Sequence, residues 1–338
     1  MLVSFLIPVR NGEDTIDQAL ESVLSQGEEV LEVVVVDDGS TDGTASRIEG
    51  RAERDGRVRL VRRPPGGIVS ALNAGLALCR GQFVARMDAD DISLPGRVRR
   101  QVEFLRRHRE VDLAGCLVEA ASLSGKLSPG VLRYVEWSNS LVAHGEIVRE
   151  IFVESPIVHP TFMARRSFFE EMGGYREVPW AEDYDLILRA ACRGKRFGKV
   201  PEKLLLWRDH PGRLVRRDPR CKRRALFRAK AHFFRLMKGI SRVGVVGAGT
   251  SGKKVARALV DEGVEVEFFV DNRESPPGRA VMGRPAFGFP EGIPGDFLRR
   301  VRGIHLVLAV GEEKGRDLLV KLLGSEGFVE GRDFTRFL

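Results

Sequence analysis

Seven positions from Val3 to Val9 are apolar apart from one serine, and this run predicts a buried β-strand. Within Glu13–Gln26, Ile16, Leu20, Val23 and Leu24 recur at helical spacing, so a β-strand followed by an amphipathic helix opens the chain. Glu32–Val36 then carries four consecutive valines. These are β-branched and leave no polar face, as a central parallel strand covered on both sides requires. The pattern continues with a helix over Thr44–Arg54, a strand at Val58–Val61, a helix at Val69–Cys79 and a strand at Phe83–Met87. Such alternation predicts a doubly wound α/β sheet. It restarts at Arg242, with strands at Val243–Val246 and Val264–Val270, a helix over Gly252–Glu262 and a later strand at Ile304–Val310. The expected organisation is an α/β domain over 1–215, a basic helical connector over 216–239 and a small Rossmann-like α/β domain over 240–338.

Composition narrows the class without naming a function. With 43% hydrophobic and 30% charged residues in 338, the chain is neither disordered nor fibrous, and its length suits two domains. The longest apolar runs fall far short of the ~20 residues of a membrane helix, and the N-terminus lacks the basic flank and cleavage site of a secretory signal. Cys79, Cys116, Cys192 and Cys221 are scattered, with no C-x-x-C pair, which fits a reducing cytoplasm. A net charge of +8 draws polyanions of any kind: nucleic acid, anionic lipid or phosphorylated small molecules.

In open α/β sheets ligands collect beyond the carboxyl ends of the strands, which singles out three polar segments. They are Pro8-Val9-Arg10-Asn11, Asp37-Asp38-Gly39-Ser40-Thr41-Asp42 and Asp88-Ala89-Asp90-Asp91. Taken alone, the second fits a turn with a helix cap just as well. In the third, three carboxylates crowd within four residues at a strand end, a repulsive arrangement that a divalent cation and its phosphate ligands would make favourable. Oxygen donors of this kind suit Mg²⁺ or Mn²⁺. Farther on, Glu182 and Asp183 open a predicted helix, where a carboxylate can serve the helix dipole or act as a general base.

Together with Ile7-Pro8-Val9-Arg10-Asn11, Asn73-Ala74-Gly75, Pro95 to Gln101, His159-Pro160, Gly173-Gly174-Tyr175 and Glu182-Asp183-Tyr184-Asp185-Leu186, these segments resemble the family 2 glycosyltransferases of GT-A fold over roughly 1–215. Arg10 departs from the Tyr usual in that family. The resemblance implies a cytoplasmic, metal-dependent, inverting transferase that moves a sugar from a nucleoside-diphosphate sugar, foremost a UDP-sugar, to a hydroxyl of a glycan or lipid-linked acceptor. It implies donor contacts at Pro8, Asn11, Glu13, Asp38, Asn73 and Asp88, a metal site at Asp90 and His210, and Asp183 as the base. A regulator that binds nucleotide-sugar through a vestigial site is the competing reading, and an intact Asp90 and Asp183 weigh against it.

In the second half, Gly247-Ala248-Gly249-Thr250-Ser251-Gly252 follows a strand and opens a helix, and Asp271 ends the next strand at the distance of a ribose-binding acid. The segment resembles Rossmann-like domains fused to enzymes of bacterial polysaccharide assembly. Gly247, Gly249, Gly252 and Asp271 are therefore candidates for nucleotide or NAD binding, with an NAD-dependent catalytic unit or a purely architectural domain as alternatives. No Tyr-x-x-x-Lys pair accompanies them. The basic connector pairs Arg216, Arg217, Arg220, Lys222, Arg223, Arg224, Arg228 and Lys230 with Leu226, Phe227, Phe233, Phe234 and Leu236. It reads either as a helix packing its aromatics on the catalytic domain or as a helix at the inner membrane surface. No nucleic-acid module accompanies the charge.

Overall fold

The computed structural model describes residues 2–274, 276 and 278–338. The chain forms two compact units, one of Met1–Val148, Pro156–Val178 and Glu182–Arg217, the other of Arg149–Ser155, Pro179–Ala181 and Asp218–Leu338.

The first unit holds strands β1 (Val3–Val9), β2 (Val30–Asp37), β3 (Val58–Arg62), β4 (Phe83–Arg86), β5 (Ile92–Ser93), β6 (Leu113–Ser122), β7 (Met163–Arg165) and β8 (Phe197–Asp209). They make one sheet in the order β3-β2-β1-β4-β7-β6-β8-β5. β1 pairs parallel with β2 and β4, and β2 with β3, so the carboxyl ends of β1, β2 and β4 open on one edge. Helices α1 (Ile16–Leu24), α2 (Thr44–Arg54) and α3 (Ile68–Leu76) follow the first three strands. Phe5, Ile7, Val33 and Val35 share a core with Ile16, Leu20, Val23 and Ile48 of α1 and α2. The opposite face carries Leu6 and Val36, and α3 lies so close to them that a Cβ on Gly75 would meet Leu6 Cδ1 at 2.1 Å. The valine run is thus covered on both faces, as its composition demands. Further helices are α4 (Arg97–Arg107), α5 (Pro129–Ser140), α6 (His144–Glu150), α7 (Arg166–Met172), α8 (Glu182–Cys192) and the short α9 (Leu214–Arg217).

The second unit contains α10 (Arg223–Lys238) and carries a six-stranded sheet. Its strands are β9 (Arg242–Val246), β10 (Glu265–Asp271), β11 (Ala280–Val281), β12 (Arg284–Gly288), β13 (His305–Leu308) and β14 (Phe334–Arg336), in the order β11-β12-β10-β9-β13-β14. Pairing is parallel except between β11 and β12. Helix α11 (Thr250–Asp261) follows β9.

Of the two sequence readings of α10, the structure bears out aromatics packed on residues of 1–215: Phe227, Phe233 and Phe234 are buried, Phe233 meets Trp180 at 6.1 Å between ring centres and Phe234 meets Phe152, and these partners belong to the second compact unit. Phe152 from the 149–155 segment and Phe337 near β14 stand 5.9 and 5.4 Å from Phe234, ring centre to ring centre. Lys230 seals the same contact, its Nζ donating to Val153 O at 2.7 Å and Phe337 O at 2.8 Å. The apolar face of α10 is therefore occupied, and Leu236 is its one exposed large apolar side chain among the described residues. That leaves no amphipathic face to lie on a bilayer.

Candidate active site

The loops after β1 and β2 are stitched together by the polar residues that end those strands. Asn11 adopts a left-handed φ of 54°, a conformation Asn tolerates better than most residues. Its amide donates to Ser40 Oγ at 2.9 Å, and its side-chain Oδ1 accepts from Thr41 N at 2.8 Å. Glu13 Oε2 accepts from Gly43 N at 2.6 Å, and the Glu13 amide donates to Asp42 Oδ2 at 3.3 Å. Asp38 is buried and receives the amides of Gly66 and Gly67 at 2.8 and 2.9 Å, which fixes the turn that enters α3. Asn73 faces another partner: its side chain donates to Tyr175 O at 2.8 Å and accepts from Tyr175 N at 2.9 Å. Pro8 lies within β1, and with Asn11, Glu13 and Asp38 it borders one edge of the sheet.

Beyond β4, oxygens of Asp88, Asp90 and Asp91 lie within 4.8 Å of one another. Arg86 Nη2 is 2.5 Å from Asp88 Oδ1, and His210 Nε2 is 2.8 Å from Asp90 Oδ2. Arg208 supports the loop from below: its amide donates to Asp91 Oδ1 at 2.9 Å and its Nε to Asp90 O. Asp91 is fully buried, and its Oδ2 has no hydrogen-bond partner. Burial, with Asp90 and Asp88 beside it, raises the Asp91 carboxyl well above the ordinary range. Burial also works to raise Asp90, but the His210 hydrogen bond and the Arg213 charge outweigh it and hold that carboxyl low. A cluster of hard oxygen donors with an orphaned carboxylate oxygen fits a divalent cation of the Mg²⁺ or Mn²⁺ class.

Asp183 lies in the first turn of α8, which is anchored by Asp185. That buried carboxylate binds Arg176 and Arg189, each at 2.7 Å, and Arg189 Nη2 donates to Gly174 O at 2.7 Å. The Gly173-Gly174-Tyr175 turn thereby holds α8 in place. Asp183 Oδ1 accepts from Tyr184 N at 2.7 Å. Burial lifts the Asp183 carboxyl above its ordinary range; Asp88 adds to the rise, while the Tyr184 amide and the Arg86 charge oppose it.

Arg86 and Arg208 complete this edge with Asp91; sequence reading included Asp91 in the carboxylate cluster but did not single out the two arginines. Arg86 is buried, and its Nε and Nη1 lack partners. Its charge acts on Asp88, Tyr175, Glu182 and Asp183 together. A cation in the otherwise apolar run Phe83–Met87, directly before three aspartates, was the available signal. The Pro95–Gln101 and His159-Pro160 motifs prove to be scaffolding. Arg97 donates to Arg86 O at 2.8 Å and Pro160 O at 2.7 Å, and Gln101 Nε2 to Thr161 O at 2.8 Å. His159 is kept neutral by burial and by Arg86, with Nε2 2.9 Å from the Tyr175 hydroxyl.

In the second unit, Gly247 has φ 112°, and a Cβ on Gly252 would stand 1.7 Å from Gly247 O, so helix and turn meet at backbone contact. Gly249 faces open space. Asp271, expected to accept ribose hydroxyls, is buried against Arg273 at 2.7 Å and Arg279 at 3.7 Å.

Comparison with known proteins identifies the family and the fold. The model of the family described as glycosyl transferase family 2 matches residues 4–173. The glycosyltransferase EpsE of Bacillus subtilis is 32% identical over 222 residues, covering 64% of this chain and 76% of that protein. An uncharacterized glycosyltransferase of Haemophilus influenzae is 29% identical over 221 residues, covering 62% of this chain and 66% of its own length. WbnJ of Escherichia coli, an O-antigen biosynthesis glycosyltransferase, is 26% identical over 62% of this chain and 80% of its own. Among solved structures, S. aureus TarS 1–349 in complex with UDP-GlcNAc superposes with a TM-score of 0.55 at 20% identity, covering 78% of this chain and 71% of that one. That likeness extends to the GT-A fold.

Proposed function

This chain belongs to glycosyl transferase family 2, and from that premise we propose that it moves a sugar from a nucleoside-diphosphate donor to a hydroxyl acceptor with inversion at the anomeric carbon. A UDP-sugar is the donor we favour, since TarS binds UDP-GlcNAc on the same fold. The acceptor class we favour is a growing polysaccharide or glycolipid, as the name of WbnJ suggests.

One observation carries the reading: Asp88 pairs with the buried Arg86 at 2.5 Å, and the charges of both act on the buried Asp183 carboxyl, whose pKa burial raises, so a candidate base lies within electrostatic reach of the donor-side aspartates. Pro8, Asn11, Glu13 and Asp38 frame the nucleoside side, with Asn73 positioning the Tyr175 turn. Asp183 takes the acceptor proton while the acceptor oxygen bonds to the anomeric carbon, and the glycosidic bond to the departing nucleoside diphosphate breaks on the opposite face. A divalent cation, held by Asp88 and Asp90 with His210 beside them, would stabilise the charge gathering on that diphosphate as a Lewis acid. The regulator reading is the weaker one, because a binding module has no use for a carboxyl held ready to accept a proton.

For the second unit we propose a nucleotide ligand at the Gly247–Gly252 turn, with the open space at Gly249 as support. Since Arg273 already occupies the Asp271 carboxylate, a ribose contact there requires that ion pair to open, and we propose no NAD chemistry. The decisive experiment on the first unit is a thermal-shift screen of UDP- and GDP-sugars with Mn²⁺, followed by transfer assays on the best donor. A chain that binds no nucleoside-diphosphate sugar would overturn the reading.

A further inference from the structure

Four of the five exposed large apolar side chains described in the first unit gather where β6 and β8 end. Leu214 and Val215, in the short helix α9 after β8, are 49% and 50% exposed. Leu123, directly after β6, is 47% exposed, and its amide donates to Asp209 O at 3.0 Å, so both segments leave the same pair of strand ends. Leu132, 49% exposed, lies on α5 beside β6. The remaining one is Leu2.

Isolated exposed apolar side chains need no explanation, but an adjacent leucine and valine on a short helix anchored at a charged site do. The anchor is specific. His210 reaches Asp90, Arg213 lies 4.0 Å over the Trp207 ring, and Arg216 pairs with Asp209, so Leu214 and Val215 are presented on a held turn. Tyr134 of α5 packs on the same Trp207 at 5.8 Å, which ties Leu132 to this end of the unit. Lys126, Arg133, Arg216 and Arg217 lie exposed on the same segments, with Arg213 partly exposed; the acids there are Glu119, Glu136, the buried Asp209, Asp90 at His210, and Asp218, which pairs with Arg220. Apolar tips accompanied by guanidinium groups match an anionic bilayer, where the tips enter the acyl boundary and the cations meet headgroup phosphates.

We propose that this rim, the 123–133 segment with the 213–217 segment, docks the chain on an anionic membrane surface and brings the adjacent Asp90–His210 edge to an acceptor held in that membrane. It rests on the transferase reading only for the acceptor; the docking itself stands on the rim. It also differs from the membrane helix expected at 216–239, whose apolar face is buried.

The test is flotation of the full chain with phosphatidylcholine vesicles containing about one-third phosphatidylglycerol, beside pure phosphatidylcholine vesicles. Binding should require the anionic lipid and weaken as salt is raised. Leu214→Asp with Val215→Asp should lower the partition coefficient on the order of 100-fold, and Arg217→Gln roughly fivefold. Leu214→Trp should bind more tightly and shift its fluorescence to the blue on vesicles, which guards against a variant that merely misfolds. UDP-sugar thermal shifts in solution should be the same in all three, so loss of donor binding would report on the transferase reading alone. The proposal is overturned if the wild-type chain ignores anionic vesicles, if the double variant floats as wild type does, or if the rim instead proves to be a self-association surface whose disruption changes only oligomeric state.

Discussion

The two sheets both begin with a parallel strand, a polar turn and a helix, yet they treat the charges at their strand ends in opposite ways. In the first, Asp91 keeps an unpartnered buried oxygen, Arg86 keeps two unpartnered nitrogens, and Asp183 is lifted by burial. In the second, Asp271 is closed by Arg273 and Arg279, and its turn is tightened to backbone contact. Unsatisfied buried polar groups are costly, so a fold retains them where a ligand or reaction makes use of them. The first edge is built for a charged guest, whereas the second is nearly complete without one.

The strongest way to break this contrast is Asp183→Asn, which keeps shape but removes the proton acceptor. Transfer should fall by about 10² to 10⁴ while calorimetric donor affinity holds; unchanged transfer would reduce Asp183 to a helix cap. Asp90→Ala should abolish the Mn²⁺ enhancement of donor affinity and leave the melting temperature near wild type, because its carboxylate lies on a loop beyond the core. Equal enhancement in the variant would remove Asp90 from the metal site.

On the other side, Gly252→Ala forces a methyl into Gly247 O, and about 3 kcal/mol of stability should be lost. Hydrogen exchange should localise the loss to amides of the second unit, with those of β1 and β2 protected as before. A smaller effect concerns pH. Asp183 must be deprotonated to act, and its raised pKa places the acid limb of the rate profile above the ~4 of a free carboxyl, with activity rising as pH increases through it. Since Arg86 pulls that pKa down, Arg86→Met should move the limb to higher pH. The faintest signal is expected from titrating the full chain with UDP-sugars, NAD and NADP while following amides near Gly249 by NMR. Saturable shifts weakened by Gly249→Val would show that the second turn holds a nucleotide; silence toward all of them would leave it as architecture.

Hydrophobic pattern alone determined the alternating strands and helices of both halves, because burial on two faces demands the valine runs of β2 and the helical spacing of α1. It also exposed the aspartates and glycines at strand ends, where nothing apolar explains them. It could not tell a ligand contact from a strut. Gln101 and His159 sit in motifs of the same set as that of Asp90, yet they hold the Thr161 carbonyl and the Tyr175 hydroxyl. Nor could it assign the partner of Phe234, Phe337, which lies about a hundred residues away in the chain. Which charges stay open was decided only in three dimensions, since pairing depends on what the fold brings within hydrogen-bonding reach: two arginines to Asp271, none to the far oxygen of Asp91.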